Sequence, residues 1–128
     1  ALMDYFFNPP LAHLLLRLVL GIAFIIHGYP KIKNFSGIAG WFDSVGLKPA
    51  KFWLSVVIIA EFFGGVALVA GILVELAAFL IAVDMLVAMW KVKWGKTGFT
   101  GDGGWELDLA YLIIAISLIL TGGGLYAF

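Results

Sequence analysis

Long continuous runs of apolar residues dominate the chain, separated by segments rich in glycine, proline and lysine. There are four such runs, at residues 11–28, 52–72, 76–90 and 105–120. At 1.5 Å of helical rise per residue, each is about long enough to cross the hydrocarbon core of a bilayer. Strands of a membrane barrel would alternate in polarity, so continuous runs favour helices. The pattern predicts an all-α integral membrane protein, an antiparallel four-helix bundle forming one domain over residues 1–128.

Local signals refine the first half of this prediction. Asn8-Pro9-Pro10 precedes the first apolar run and is typical of a helix start. In the first loop, apolar residues recur with helical spacing, at Ile38, Trp41, Phe42 and Val45. We therefore expect a short helix over residues 36–45, lying in the membrane interface or tucked under the bundle.

Composition supports the membrane class and removes several kinds of chemistry. The chain is 63% hydrophobic and 12% charged, whereas soluble domains are about 25% charged. Cysteine is absent, which excludes disulfides, thiolate nucleophiles and Cys-ligated clusters. Two histidines on one helix cannot supply bis-histidine haem ligation internally, so we expect neither haem nor metal bound by this chain alone. Zero net charge and the lack of a long basic block argue against nucleic acid as a partner.

The distribution of lysine predicts orientation. All seven lysines fall in or beside the first and third connections, and the other cation, Arg17, lies inside the first run. Cytoplasmic loops of membrane proteins carry an excess of lysine and arginine. We therefore predict a multi-pass protein of the cell membrane with both lysine-rich loops in the cytoplasm and both termini outside. All five tryptophans also lie on the lysine side, as expected of an interfacial belt.

Three charged residues, Arg17, Glu61 and Asp84, interrupt the apolar runs. Each costs about 2.5–3.5 kcal/mol near mid-membrane if uncompensated. We therefore predict that they face one another in a buried polar cluster, with one of the two carboxyl groups protonated. Such a cluster could relay protons, or it could only clamp the helices together.

A second set of polar residues lies nearer the lysine side. His27, Lys31, Trp90 and Glu106 are the candidate ligand-binding residues, at the polar end of a pocket for a quinone-like head group. Lys31 and Lys91 could instead extend to the surface, while Glu106 and Asp108 stabilise a helix N-terminus. The structural interpretation is preferred for the lysines and Asp108, and the functional one for His27 and Glu106.

The chain resembles the DoxX family of small four-span membrane proteins. The resemblance rests on residues spread in order over nearly the whole chain: Leu16-Arg17-Leu18, Gly21, Phe24, His27-Gly28, Lys31, Phe42, Gly46-Leu47, Glu61, Gly64-Gly65, Leu68, Gly71, Met85-Leu86-Val87-Ala88, Gly104 and Glu106. It implies that Arg17, His27, Lys31, Glu61 and Glu106 belong to a recurrent polar set. It also implies association with quinone-linked redox systems, some of which oxidise sulfur compounds.

Three hypotheses of function follow. The leading one is a membrane subunit of a quinone-linked oxidoreductase that binds a quinone or a similar lipophilic molecule and has no redox centre of its own. The second is a non-catalytic accessory subunit that holds other membrane proteins together. The third is a transporter of protons or a small acid. The expected partners are the lipid bilayer and either other membrane subunits or further copies of the chain.

Overall fold

A computed structural model describes residues 6–124 and 127–128, and in these residues the chain is helical without strands. Five helices follow one another: α1 (Pro9–Lys33), α2 (Phe35–Ser44), α3 (Ala50–Ala70), α4 (Val74–Val87, continued by a π-helical turn at Ala88–Lys93) and α5 (Glu106–Thr121). A second π-helical turn, Ile59–Phe63, lies in the middle of α3. The all-α prediction and the short helix in the first loop are confirmed.

The start of α1 follows the local signals. Asn8 caps the helix, because its side-chain oxygen accepts a hydrogen bond from the Leu11 N–H at 3.2 Å, and two prolines occupy the first turn. The helix continues five residues beyond the predicted limit at residue 28. Gly28 does not end it: a Cβ there would meet the backbone nitrogen of Phe62 at 2.8 Å. This glycine permits close packing against α3, and the extra turn carries Lys31 into the protein.

Each long helix packs against its neighbours in the chain. Helix α1 contacts α3, α3 contacts α4, α4 contacts α5, and α5 returns to α1. The main core lies between these helices and includes Leu20, Phe24, Leu68 and Ile81. Helix α2 packs on the start of α3 through a separate small core around Phe42 and Leu54.

Within the part of the chain that the structure describes, two helices are long and apolar enough to cross a membrane, α1 with 25 residues and α3 with 21. Only 22% of the most apolar window of α1 and 39% of that of α3 is buried inside the protein. Large apolar side chains such as Val19, Ile26, Ile59 and Phe63 are therefore exposed. A core helix of a soluble protein would bury this surface, whereas a lipid environment accommodates it.

Candidate functional site

Polar side chains from four helices converge on one cavity at the lysine-rich end, where α1 and α4 end and α3 and α5 begin. The cavity has a volume of about 210 Å³. We call it the polar cavity, and its polar lining consists of His27, Lys31, Glu61, Asp84, Lys93, Asp108 and Tyr111. Four of these residues were predicted from the sequence: His27 and Lys31 as ligand-binding residues, and Glu61 and Asp84 as members of the buried polar cluster.

An ion pair between α1 and α3 forms one wall. Lys31 Nζ lies 2.5 Å from Glu61 Oε1 and also donates to the carbonyl oxygen of His27 at 3.3 Å. The Glu61 side chain is 6% exposed and that of Lys31 22%, so the pair is largely removed from solvent. Glu61 lies in the π-helical turn of α3, a feature that occurs frequently at functional sites.

Asp84 lies beside this pair. Its carboxyl group is within hydrogen-bonding reach of the Glu61 carboxyl group. Its Oδ2 atom is buried, and no donor of the described residues reaches it. A buried polar atom without a partner costs about 1–3 kcal/mol, and Asp108 Oδ2 is a second such atom in the lining of the same cavity.

A second ion pair forms the opposite wall. Lys93 Nζ lies 2.9 Å from Asp108 Oδ2, and the Asp108 side chain is 12% exposed. This distance makes the contact an ion pair, but its angles do not fit a hydrogen bond. Asp108 Oδ2 therefore has no hydrogen-bond donor among the described residues. The same ammonium group donates to the carbonyl oxygen of Gly104 at 3.2 Å. Lys93 thus connects the end of α4, the glycine-rich loop of residues 95–104 and the first turn of α5.

Three aromatic rings complete the lining near α1. Phe24, His27 and Tyr111 contact one another pairwise, with ring centroids between 5.2 and 5.9 Å apart. Phe24 is fully buried, whereas His27 is exposed at the edge of the cavity. The His27 and Tyr111 rings offer flat surface next to the charged groups, and the buried Phe24 ring packs against both.

An apolar groove between α3 and α4 adjoins the polar cavity. Its volume is about 380 Å³, and its lining away from the cavity includes Trp53, Val56, Ala60, Phe79, Leu80, Val83 and Trp90. Five residues line both spaces: Phe42, Leu47, Val57, Asp84 and Val87. The two volumes together fall within the roughly 300–1,000 Å³ of ordinary ligand sites. Asp84 is the polar group at their boundary.

The prediction that Arg17 faces Glu61 and Asp84 in a buried cluster is wrong. This side chain is buried, but its Nε donates to the Leu68 carbonyl oxygen at 3.0 Å and its Nη1 to the Gly123 carbonyl oxygen at 3.2 Å. Leu68 lies seven residues beyond Glu61, about 10 Å along the helix axis. Leu68 contributes one of the last carbonyls of α3, which lack helical partners and carry partial negative charge. Arg17 therefore stabilises the far end of α3, and Lys31 takes the predicted place beside Glu61.

Two of the predicted ligand-binding residues lie outside the polar cavity. Glu106 is exposed in the first turn of α5 and lines a separate shallow depression with Phe99 and Leu107. Trp90 is 67% exposed and lies along the apolar groove, with the Lys91 ammonium 4.7 Å from its ring. Asp108 lies in the first turn of α5, as its structural interpretation requires, and it is also buried and paired with Lys93.

The sequence analysis did not predict that Lys93, Asp108 and Tyr111 line the same cavity. A signal existed: Asp108, Tyr111 and Leu112 follow the i, i+3, i+4 spacing of one helix face, and Glu106 does not share that face. No group of three or more metal-binding side chains occurs in residues 6–124 and 127–128.

The fold and the site define a class of protein. It is a small helical membrane protein with charged groups from several helices gathered at one end of its core. Within that class the chain belongs to the DoxX family, which matches residues 12–94.

Two relatives extend the likeness beyond that segment. A protein of Bacillus subtilis (strain 168) named "Putative oxidoreductase CatD" is 35% identical over 109 residues, covering 85% of this chain and 78% of that protein. An uncharacterized protein of Haemophilus influenzae (strain ATCC 51907 / DSM 11121 / KW20 / Rd) is 30% identical over 113 residues, covering 85% and 81%. No solved structure matches the chain significantly.

Proposed function

We propose that this protein is a membrane subunit of a redox system and that it binds a quinone or a similar lipophilic ring compound. The observation that carries the proposal is the continuity of the polar cavity with the apolar groove, with Asp84 at their boundary. A molecule with a polar ring and an apolar tail matches this division. The rings of His27 and Tyr111, which both contact the buried Phe24 ring, provide a surface against which a planar head group can pack.

The redox assignment draws on the named relative and on the residues present. The Bacillus subtilis protein carries the word oxidoreductase in its name. This chain has no cysteine, so thiol redox chemistry would require a partner. We propose that the bound ring exchanges electrons with a partner subunit, while this chain binds it and surrounds its oxygen atoms with ionisable groups.

Binding can be tested directly with the purified protein in nanodiscs and a decyl-substituted benzoquinone as the probe. We expect saturable binding, and we expect Ala88→Phe to weaken it by roughly tenfold or more because the new ring fills the cavity that Ala88 lines. Ala110→Phe is the matched control: Ala110 is exposed on α5 and lines only the shallow depression beside Glu106. Wild-type protein that binds no quinone, or equal weakening by both variants, would contradict the proposal.

We also propose that α1, α3, α4 and α5 all cross the membrane as an antiparallel four-helix bundle, with the lysine-rich end in the cytoplasm. Helix α4 with its π-helical turn and helix α5 are each of nearly sufficient length, at 14 plus 6 and 16 residues. The excess of lysine at one end supports the orientation.

Because the chain contains no cysteine, single introduced cysteines report topology cleanly. In intact cells we expect a membrane-impermeant maleimide to label Leu73→Cys, in the exposed turn before α4, and to leave Lys96→Cys unlabelled until the cells are lysed. Lys96 is exposed in the glycine-rich loop at the other end of α4. The reverse pattern would contradict the orientation, and equal labelling of both would contradict the crossing of α4.

A further inference from the structure

The apolar groove between α3 and α4 carries two lysines at its lysine-rich end. Lys48, in the connection between α2 and α3, and Lys91, in the π-helical turn that continues α4, both line it. Its other side chains are apolar or aromatic, apart from Asp84 at the boundary with the polar cavity. Asp84 lies about 10 Å along the helix axis from Lys91, so the end of the groove is cationic and the rest is apolar.

The groove has about the length of one leaflet of a bilayer. Along α4 its lining extends from Phe79 to Lys91, about 18 Å at 1.5 Å of helical rise per residue. The hydrocarbon core of a bilayer is about 30 Å thick, so each leaflet contributes about 15 Å. Phe79 and Val83 are 55% and 41% exposed, which leaves this wall open to lipid. An acyl chain that enters beside Lys91 therefore has apolar surface along its whole length.

Both ammonium groups are available to a ligand. Lys48 faces Asp43 at 3.8 Å, but the two side chains are 66% and 61% exposed, and exposed pairs of this kind are weak. Lys91 lies over the Trp90 ring at 4.7 Å and pairs with no carboxylate in residues 6–124 and 127–128. The Trp53 Nε1–H donates to the Lys48 carbonyl oxygen at 3.0 Å, which holds the backbone of Lys48 at the start of α3.

We infer that the groove binds one acyl chain of an anionic phospholipid whose phosphate contacts Lys48 and Lys91. Basic residues near a membrane surface attract anionic head groups, whereas a zwitterionic head group would bring a cation to the same two lysines. A second copy of the chain would place its own lysine-rich end there, and like charges disfavour that contact. The inference goes beyond quinone binding and rests on the proposed crossing of α4.

Tryptophan fluorescence tests the occupant of the groove, because Trp53 and Trp90 line it and bromine atoms on an acyl chain quench nearby indole rings. The protein is placed in phosphatidylcholine nanodiscs that contain brominated phosphatidylglycerol or brominated phosphatidylcholine with the same chains. We expect phosphatidylglycerol to quench at a roughly tenfold lower mole fraction, from two basic residues at a lipid surface, and less selectively at high salt. Equal quenching at low salt would overturn the inference, as would quenching by neither lipid.

The other three tryptophans are separated from this signal by substitution. In Trp53→Phe/Trp90→Phe we expect the preference for phosphatidylglycerol to disappear, because the remaining indole rings do not line the groove. A preference that persists in this variant would place the selective lipid elsewhere and contradict the assignment.

Lysine substitutions test the head-group contact. Lys48→Gln/Lys91→Gln should be quenched by the two lipids within about twofold of each other. Lys33→Gln is the matched control: Lys33 is exposed at the same end of the protein and lies over the Tyr29 ring at 5.3 Å, but it does not line the groove. A preference that survives in the double variant, or equal losses in both variants, would contradict a site at Lys48 and Lys91.

Filling the groove tests the position of the acyl chain. Val83→Phe adds a ring to the groove wall and should reduce the preference at least threefold. Val66→Phe is the control, because Val66 is 43% exposed on α3 and does not line the groove. Equal effects of the two substitutions would contradict a chain bound in the groove.

Lipid selectivity and quinone binding can fail separately. Selective quenching by phosphatidylglycerol in a protein that binds no quinone would remove only the proposed function. Saturable quinone binding without lipid selectivity would remove only the lipid site. Equal maleimide labelling of Leu73→Cys and Lys96→Cys would remove the crossing of α4 and the lipid site with it.

Discussion

Replacing Lys31 by methionine is expected to lower the free energy of unfolding by about 3–5 kcal/mol, the usual cost of removing one partner of a buried ion pair. Lys31 is the ion-pair partner of Glu61 among the described residues. Methionine keeps most of the apolar stem but leaves Glu61 buried beside Asp84, two acids without a cation. Thermal or denaturant unfolding in detergent, followed by circular dichroism, measures the loss.

Lys48→Met is the matched control for this prediction. Lys48 also faces an acid, Asp43, but at 3.8 Å and with side chains 66% and 61% exposed. Pairs of this kind contribute about 0–1 kcal/mol, so stability should change little. The double variant Lys31→Met/Glu61→Leu should recover much of the loss, because it removes both charges. If Lys31→Met were as stable as Lys48→Met, the buried pair would have no structural role.

Replacing Gly65 by alanine is expected to cost about 2–3 kcal/mol, near the upper range for overpacking of a protein interior. A Cβ at this position would meet the carbonyl oxygen of Gly21 at 2.6 Å and the backbone nitrogen of Ile25 at 2.9 Å. Both are backbone atoms, which cannot rotate away as a side chain can. Helices α1 and α3 would have to separate, and the ion pair at the end of this contact would lengthen with them.

The adjacent glycine provides a control in the same helix. A Cβ at Gly64 would lie 3.7 Å from the nearest atoms of Ile81, an ordinary van der Waals contact. Gly64→Ala should therefore be neutral or should stabilise the helix by up to about 1 kcal/mol. Equal effects of the two substitutions in thermal unfolding would show that close backbone packing does not limit the approach of α1 to α3.

The elements of this fold could largely be predicted from the sequence, because each depends on a local pattern. The continuous apolar runs, the Asn8 cap and the helical spacing of apolar residues in α2 each involve residues within a few helical turns of one another. The prediction that α1 ends at residue 28 was wrong, because the role of Gly28 depends on a residue far away in the sequence. Gly28 reads as a helix end in the sequence, but it serves contact with Phe62 on another helix.

The composition of the site could be predicted only in part. The sequence gives the depth of each charged residue along its helix, and Arg17, Glu61 and Asp84 were within reach of one another on that measure. It does not give the rotation of one helix against another, which directs Arg17 to the end of α3 and Lys31 to Glu61. Glu106 and Asp108 illustrate the same limit. Both suit a helix N-terminus, and only packing shows that Asp108 faces inward.

The π-helical turn of α3 has a consequence for comparing relatives of this protein. Such a turn contains one residue more than an α-helical turn, so the two halves of α3 are offset by about 100° around the axis. The half before the turn, which packs against α2, and the half after it, which meets Gly21 and α4, are therefore oriented separately. A homologue with a one-residue deletion near Glu61 would turn that acid by about 100° relative to one half of α3, although an alignment of the two sequences would still show the glutamate as retained.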